Sequence, residues 1–294
     1  MILKTTKQKD YELIDSGEGK KLEKYGPYFL VRPDPEAIWL KNLSDEIWTK
    51  AELKFIRNEH HTKWIIKEGT PKSWNISYGD LNFSIKPTSF KHTGLFPEQL
   101  PNWQWTEKII KNYILKISKE EDKPKVLNLF AYTGGATLAC ARAGAEVCHV
   151  DGSKTAVAWA RENAELSGLK DAPIRWIIED VLIFLKREIK RGHKYDAIIM
   201  DPPSFGHGPK DELWKIEEHF IELMKLCKEI LSDKPLFVII NGYTAGYSPI
   251  AYQNNLIDMM KEHKGNIEIG ELVIQESNGE RLLPCGIFAR WEKK

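Results

Sequence analysis

Cysteine is scarce in this chain. Only Cys140, Cys148, Cys227 and Cys285 occur among 294 residues. No two share a C-x-x-C spacing, so neither a disulfide framework nor a zinc site is implied, and scattered thiols suit a reducing compartment. The start, Met1-Ile2-Leu3-Lys4-Thr5-Thr6-Lys7, lacks the apolar core of a signal peptide. No apolar run approaches the roughly 20 residues needed to span a bilayer. Charge of one sign is also missing: the net charge is +1. A nucleic-acid partner would therefore need a local basic face, because phosphate binding is driven by local Lys and Arg. Neither G-x-G-x-x-G nor a Walker phosphate loop is present, which disfavours dinucleotide and nucleoside triphosphate ligands. These absences predict a cytoplasmic protein with no metal and no membrane partner. What remains is ordinary for a globular protein, with 42% hydrophobic and 29% charged residues and enough length to bury a sizeable core.

Residues 1–92 read as a small β-rich domain. Turn signals recur at Asp15-Ser16-Gly17-Glu18-Gly19, Tyr25-Gly26-Pro27 and Glu68-Gly69-Thr70-Pro71. Between them lie the strand-like pieces Tyr28-Phe29-Leu30-Val31, Lys63-Trp64-Ile65-Ile66 and Leu81-Asn82-Phe83-Ser84-Ile85. Closely spaced strands with turns predict an antiparallel unit. A structural cap and a substrate-docking module both fit it. The pair His60-His61 has no metal-ligand spacing around it and reads as loop surface. Thr93-Gly94-Leu95-Phe96-Pro97-Glu98-Gln99 is an irregular link, and a helix is expected over 106–116 with Thr106 as its cap.

From Pro124 the pattern changes to strands alternating with helices. Strands are predicted over 125–130, 146–150, 174–178, 195–200 and 235–240. The helices between and after them cover 135–143, 154–166, 180–190, 211–231 and 249–263. Gly144 and Gly168 stand where helix C-terminal caps belong. Apolar, unalternating strands separated by helices imply a parallel sheet covered on both faces. Ile267-Glu268-Ile269 and Gly286-Ile287-Phe288-Ala289-Arg290-Trp291 read as a final strand pair.

Candidate ligand residues cluster at strand ends. Phe130-Ala131-Tyr132-Thr133-Gly134-Gly135 leads from the first strand into a helix. Glycines there let the backbone approach a ligand, and the helix amino end offers free N–H groups to a carboxylate. Asp151-Gly152-Ser153 ends the second strand with an acid suited to ribose hydroxyls. The third strand ends in Glu179-Asp180-Val181, where the acid can receive an adenine amino group beside apolar side chains. The fourth, Tyr195-Asp196-Ala197-Ile198-Ile199-Met200, ends in Asp201-Pro202-Pro203-Ser204-Phe205. Its prolines have no N–H for a ladder, so the backbone must leave the sheet there, with a carboxylate on a stiff turn.

In this order the motifs resemble class I S-adenosylmethionine-dependent methyltransferases. More narrowly, the chain resembles the ribosomal RNA large-subunit methyltransferase family, in a short form without an amino-terminal PUA domain. Asp10-Tyr11-Glu12-Leu13-Ile14-Asp15-Ser16-Gly17, Thr93 to Gln99, Asp201 to Phe205 and Leu283-Pro284-Cys285-Gly286 extend the likeness beyond the cofactor half. The resemblance implies an α/β, Rossmann-like seven-stranded sheet with an antiparallel last strand, spanning 93–294. It implies S-adenosyl-L-methionine at the strand ends just named and a link, Phe96 to Gln99, that closes over the cofactor. It also implies ribosomal RNA as partner.

Methyl transfer from a sulfonium is an in-line displacement in which a protein supplies positioning and electrostatics. An aromatic amine is a poor nucleophile because its lone pair is delocalised. Hydrogen bonds from that amine to the Asp201 carboxylate and the Pro202 carbonyl would direct the lone pair toward the methyl group. Pro203 stiffens the turn, and Phe205 either stacks on the base or packs in the core; Asp201 could instead merely cap the next segment. Many amine methylators carry an aromatic residue directly after the second proline, where this chain has Ser204. Relatives with Asp-Pro-Pro-x-Phe also methylate cytosine C5, using a cysteine just after the fifth strand. The corresponding stretch, Ile239-Ile240-Asn241-Gly242-Tyr243-Thr244, has none. Cys285 reads as a buried thiol, and Gly206-His207-Gly208-Pro209-Lys210 as a mobile glycine lid. A protein or small-molecule methyltransferase of this fold, and a cofactor-binding protein without catalysis, remain alternatives.

Overall fold

A computed structural model describes residues 1–57, 62–89, 91–119 and 122–294. The His60-His61 pair lies outside them. By their contacts the described residues form two units. One comprises Leu3–Leu100 with Leu272–Cys285; the other comprises Met1–Ile2, Pro101–Glu271 and Gly286–Lys294. The boundary expected at 92/93 thus differs by eight residues from one at 100/101, and a segment from far along the sequence joins the amino-terminal unit.

After β1 (Ile2–Thr5), the amino-terminal unit runs β2 (Tyr11–Gly17), β3 (Lys20–Tyr25), β4 (Tyr28–Pro33), α1 (Asp45–Thr49), β5 (Leu53–Arg57), β6 (Thr62–Ile66), β7 (Trp74–Tyr78) and β8 (Leu81–Ile85). β2 to β6 form a five-stranded sheet in sequence order, and β7 pairs with β8. Glu18 and Gly19 join β2 to β3 with φ of 54° and 72°, the left-handed pair that a tight two-residue hairpin demands. The sheet departs from the antiparallel expectation at one place, where β4 and β5 run parallel. α1 intervenes there, since a parallel neighbour needs a crossover.

Within this unit Glu23 is fully buried. Arg32 grips it through Nε at 2.7 Å and Nη2 at 2.8 Å. The Tyr11 hydroxyl donates to the same carboxylate at 2.9 Å. Burial alone would raise the Glu23 pKa, but the charges of Arg32 and Lys21 and these hydrogen bonds outweigh it and hold the carboxyl at about 2. Glu276 also joins here, accepting from the Ser16 amide at 2.8 Å and the Ser16 hydroxyl at 2.5 Å. Cys285 is half-buried, and its thiol donates to the Leu283 carbonyl at 3.4 Å.

The second unit alternates strand and helix: α2 (Leu100–Ile114), β9 (Lys125–Leu129), α3 (Gly135–Arg142), β10 (Glu146–Asp151), α4 (Lys154–Leu166), β11 (Ile174–Ile178), α5 (Val181–Lys190) and β12 (Ala197–Met200). Then follow β13 (Phe205–His207), β14 (Leu213–Lys215), α6 (Ile216–Ile230), β15 (Phe237–Gly242), α7 (Pro249–Met260), β16 (Gly265–Gln275) and β17 (Leu282–Lys293). The sheet order is β1-β16-β17-β15-β12-β9-β10-β11. The seven expected strands are all present, with β1 added at one edge. β17 runs antiparallel to β15, as the resemblance implies. Buried Leu, Ile, Val and Met side chains of the central strands pack against helices on both faces, which explains why those strands do not alternate in the sequence.

Three helix expectations shift for local reasons. α2 starts at Leu100 rather than 106, with Pro101 in its first turn, where a missing N–H costs nothing. Thr106 lies inside the helix, its hydroxyl bonded to the Trp103 carbonyl at 2.8 Å. The helix expected from 211 starts at Ile216, because Leu213–Lys215 pair with Phe205–His207 as a hairpin. α7 ends at Met260 rather than 263. The glycine stretch after Asp201 is therefore not a free lid. Its Gly206 and His207 are ladder residues, and the His207 imidazole pairs with Asp211 at 2.7 Å.

Candidate active site

The sheet order reverses between β9 and β12, and in open α/β sheets ligands bind beyond the carboxyl ends of strands at such a switch point. β9 and β12 pair in parallel, with Leu129 opposite Met200. The two turns picked out from the sequence, Phe130–Gly135 and Asp201–Phe205, therefore leave the sheet side by side. The Asp201 amide donates to the Leu129 carbonyl at 3.4 Å.

The first turn is unusual backbone. Phe130, Tyr132 and Gly134 have φ of 53°, 49° and 88°. The two non-glycine residues each carry a conformational cost on the order of 1 kcal/mol, which the surrounding contacts must offset. Those contacts are visible. The Ala131 amide donates to the Val150 carbonyl at 3.1 Å, and Asn163 donates its amide to the Thr133 carbonyl at 2.9 Å. A methyl on Gly134 would meet the Ala160 side chain at 3.1 Å, and one on Gly135 would lie 2.2 Å from the Trp103 ring. Conformation therefore asks for glycine at 134, and packing against Trp103 asks for it at 135.

Asp151 locks this turn to the end of β10. Its Oδ2 accepts from the Tyr132 amide and its Oδ1 from the Ser153 amide, both at 2.8 Å. Burial raises the Asp151 pKa, against those two backbone donors. Each oxygen keeps a second lone pair, so the carboxylate can still accept two hydroxyl donors. Ser153 caps α4, its Oγ accepting from Ala156. Asp180 caps α5 through Oδ1, which accepts from Ile183 at 2.9 Å. Glu179 pairs with Arg187 instead. Val181 is buried in the core cluster with Phe184 and Leu185. The turn of the β13–β14 hairpin comes close: a methyl on Gly152 would lie 3.4 Å from the Gly208 Cα, and one on Gly208 would lie 3.2 Å from the Asp180 Cβ.

Beneath the glycine turn lies a buried relay that the sequence did not reveal. Asn128 donates to the Thr137 hydroxyl at 2.9 Å, and that hydroxyl meets His149 Nδ1 at 2.9 Å. The His149 side chain is wholly buried, and its Nε2 has no partner. Burial, aided by the charge of Arg161, lowers its pKa to about 3. The folded value lies below the unfolded value of about 6.5, so the stability of the neutral ring is complete above that pH and drains as pH falls toward 3. Between pH 6.5 and 5 the expected loss is about 2 kcal/mol. Urea titrations at pH 7 and pH 5 check this; His149→Gln should show a smaller pH dependence, and an unchanged one contradicts the assignment.

The Asp201–Ser204 turn is half-exposed. Asp201 is partly buried, Pro202 is buried, and Pro203 and Ser204 face solvent. The Ser204 and Thr244 hydroxyls are 2.9 Å apart. Phe205 is 57% exposed, which removes the reading that it packs in the core. Asn241 is buried, its Oδ1 accepting from Asn102 at 3.0 Å. Cys140, Cys148 and Cys227 are buried thiols raised by burial, to about 12 and about 11 for the first two and higher for the third. Phe96 and Gln99 belong to the amino-terminal unit. Pro97–Gln99 there forms a 3-10 turn whose Pro97 carbonyl accepts from the Thr5 and Tyr78 hydroxyls at 3.2 and 2.7 Å. Trp214 was missed by the sequence reading, which put it inside a helix, and no signal in the chain marks it.

The glycine turn, Asp151, Asp180 and the Asp-Pro-Pro turn stand at successive strand ends around the switch point, the arrangement of a class I methyltransferase. The family model for S-adenosylmethionine-dependent methyltransferases matches residues 51–247. The chain belongs to that family. A crystal structure of an S-adenosylmethionine-dependent methyltransferase from Agrobacterium tumefaciens is 40% identical, with a TM-score of 0.93, covering 100% of this chain and 94% of that one. Ribosomal RNA large subunit methyltransferase K of Neisseria meningitidis is 27% identical over 236 residues, 77% of this chain and 64% of the relative. Ribosomal RNA large subunit methyltransferase K/L of Pseudomonas aeruginosa is 30% identical over 174 residues, 58% of this chain and 22% of the relative. The chain thus spans about a fifth of one of these curated relatives and somewhat less than two thirds of the other. No helix is long and apolar enough to cross a membrane among the described residues.

The residues present suit S-adenosylmethionine. Asp151 stands at the second strand end with a spare lone pair on each oxygen.

Proposed function

We propose that this chain transfers a methyl group from S-adenosylmethionine to an exocyclic amino group of a base in ribosomal RNA, in the cytoplasm. Bound S-adenosylmethionine supplies a methyl group made electrophilic by the neighbouring sulfonium. The turn from Phe130 to Gly135 holds the amino-acid end, at the amino end of α3. Asp151 accepts the ribose hydroxyls, with Gly152 and Ser153 shaping the approach. Asp180 and Val181 meet the adenine edge and face. The link at Phe96 and Gln99 is assigned to the same ligand on family resemblance alone.

Asp201 and the Pro202 carbonyl accept hydrogen bonds from the two N–H groups of the target amine, which aims its lone pair at the methyl carbon. The amine loses one proton to water after the C–N bond has formed, so no dedicated base is needed. The exposed Phe205 ring offers a stacking surface for the base, worth roughly 1–3 kcal/mol. A base in a duplex must first be turned out of the stack. The observation that supports this reading most is the pairing of Leu129 with Met200, which sets the Asp-Pro-Pro turn beside the glycine turn. The names of the curated relatives support ribosomal RNA as the substrate class. A cytosine C5 mechanism is not favoured, since Asn241 is buried and bonded, and the thiols of the second unit are all buried.

Transfer of tritiated methyl to ribosomal RNA, to protein and to small-molecule extracts from cells lacking the gene tests the reading. Label is expected in RNA, as a base-methylated nucleoside. Label in protein or metabolites alone would overturn the RNA assignment, and none in any pool would favour a cofactor-binding protein without catalysis.

A further inference from the structure

Trp214 is the middle residue of β14, paired with Gly206 of β13, and is 4% exposed. Three of its contacts bear on the two turns. Its indole N–H donates to the Pro203 carbonyl at 2.7 Å. Its ring lies 4.9 Å from that of Phe130, tilted by 57°. It also stacks on His219 at 5.6 Å and 28°. One residue later but one, the Ile216 amide donates to the Ser204 carbonyl at 3.0 Å. His219 is itself fixed, its Nδ1 lying 3.1 Å from the Lys215 amide.

We infer that Trp214 is a positioning residue that holds the acceptor turn in register with the glycine turn. It has no part in the chemistry itself. It acts through Pro203, and three physical points support the role. Pro203 has no N–H, so its carbonyl is the handle by which that end of the turn can be held from outside. An indole N–H is a donor only and is costly to bury unpaired, so the bond to Pro203 is strongly preferred in this buried setting. The bond also commits the Pro203 carbonyl to the protein interior, which leaves the Pro202 carbonyl as the one beside Asp201 for an incoming donor. Because the same ring leans on Phe130, a shift of the hairpin moves both turns together. Methyl transfer is sensitive to such shifts, since an in-line displacement tolerates little misplacement of its reacting atoms.

This assignment rests on the reading of Asp201 to Pro203 as the acceptor turn. Two substitutions test it, each with and without S-adenosylmethionine. Trp214→Phe keeps a ring against Phe130 and removes the N–H. Replacement of Trp214 by benzothienylalanine keeps the bicyclic shape and also removes the N–H. Both are expected to lower kcat for RNA methylation about tenfold, as the loss of one oriented hydrogen bond implies. The Kd for S-adenosylmethionine, read by calorimetry, should stay within about twofold, because the cofactor residues are untouched. Amide exchange at Ser204 and Ile216 should quicken in both. Wild-type kcat in the benzothienylalanine protein, or a Kd raised in proportion to the loss of kcat, overturns the assignment. If the wild-type protein methylates no RNA, the RNA reading has failed on its own. Amide exchange then decides: unchanged exchange at 204 and 216 overturns the role of Trp214, and faster exchange sustains it.

Discussion

Asp201→Ala is expected to lower methyl transfer by about 10²–10⁴-fold, the range seen when a single preorganised polar group is removed from a reacting centre. The carboxylate is the one charged group on the Asp-Pro-Pro turn, so no neighbour on that turn can replace it. Its amide, not its side chain, bonds to Leu129, and that link survives the substitution. Binding of S-adenosylmethionine should therefore change little, since Asp151 and the glycine turn lie on other strands. Single-turnover assays with saturating cofactor, alongside calorimetry, separate the two. An enzyme that keeps more than a tenth of its activity would remove Asp201 from the reaction. Equal losses of affinity and rate would mean that the turn supports the cofactor instead. Asp201→Asn sharpens the test, because it preserves shape and one acceptor oxygen while removing the charge.

Arg32→Leu is expected to destabilise the amino-terminal unit by about 3–5 kcal/mol, the cost of leaving a buried charge without its partner. Glu23 has no exposed surface, and Arg32 meets both of its oxygens. The tyrosine hydroxyl cannot neutralise the charge left behind, so Glu23 must take up a proton or the sheet must open. The wild-type contribution is whole above about pH 4.5 and is lost as pH falls toward the folded value of about 2. The variant should lose that acid dependence together with its stability. Urea unfolding at pH 7 measures the first effect, and a pH series the second. A loss below 1 kcal/mol would mean that Lys21 alone suffices. The double variant Glu23→Leu, Arg32→Leu should recover part of the loss, because an absent pair costs less than a broken one.

The parallel half of the fold was legible because its strands are buried on both faces, so each reads as a short continuous apolar run. α4 was predicted over 154–166 and spans Lys154–Leu166, helped by Ser153 as cap and Gly168 as terminator. Edges were less legible where tertiary pairing decides them. Leu213-Trp214-Lys215 carries no strand pattern of its own, and only the ladder to Phe205–His207 makes it one. α2 began six residues early because Pro101 reads as a breaker in sequence but suits a first helical turn. The candidate site followed the same division. Strand-end acids and glycines stand out by type and order. Trp214 and His149 act through partners eleven or more residues away, and an isolated tryptophan or histidine in a sequence says only that it is apolar enough to bury.

Glu276 completes the amino-terminal sheet from 260 residues downstream of Ser16. During synthesis at roughly 5–20 residues per second, that partner emerges tens of seconds after β2 to β8. Until then the Ser16 amide and hydroxyl wait for their acceptor, as does the Asn42 side-chain amide, 3.2 Å from the same carboxylate in the finished fold. A nascent chain halted before Leu272 would present an unfinished sheet to chaperones and proteases. A gene fragment cut at residue 100 would inherit that defect permanently, so an excised amino-terminal unit must carry the 272–285 segment grafted back to be a fair sample of the whole.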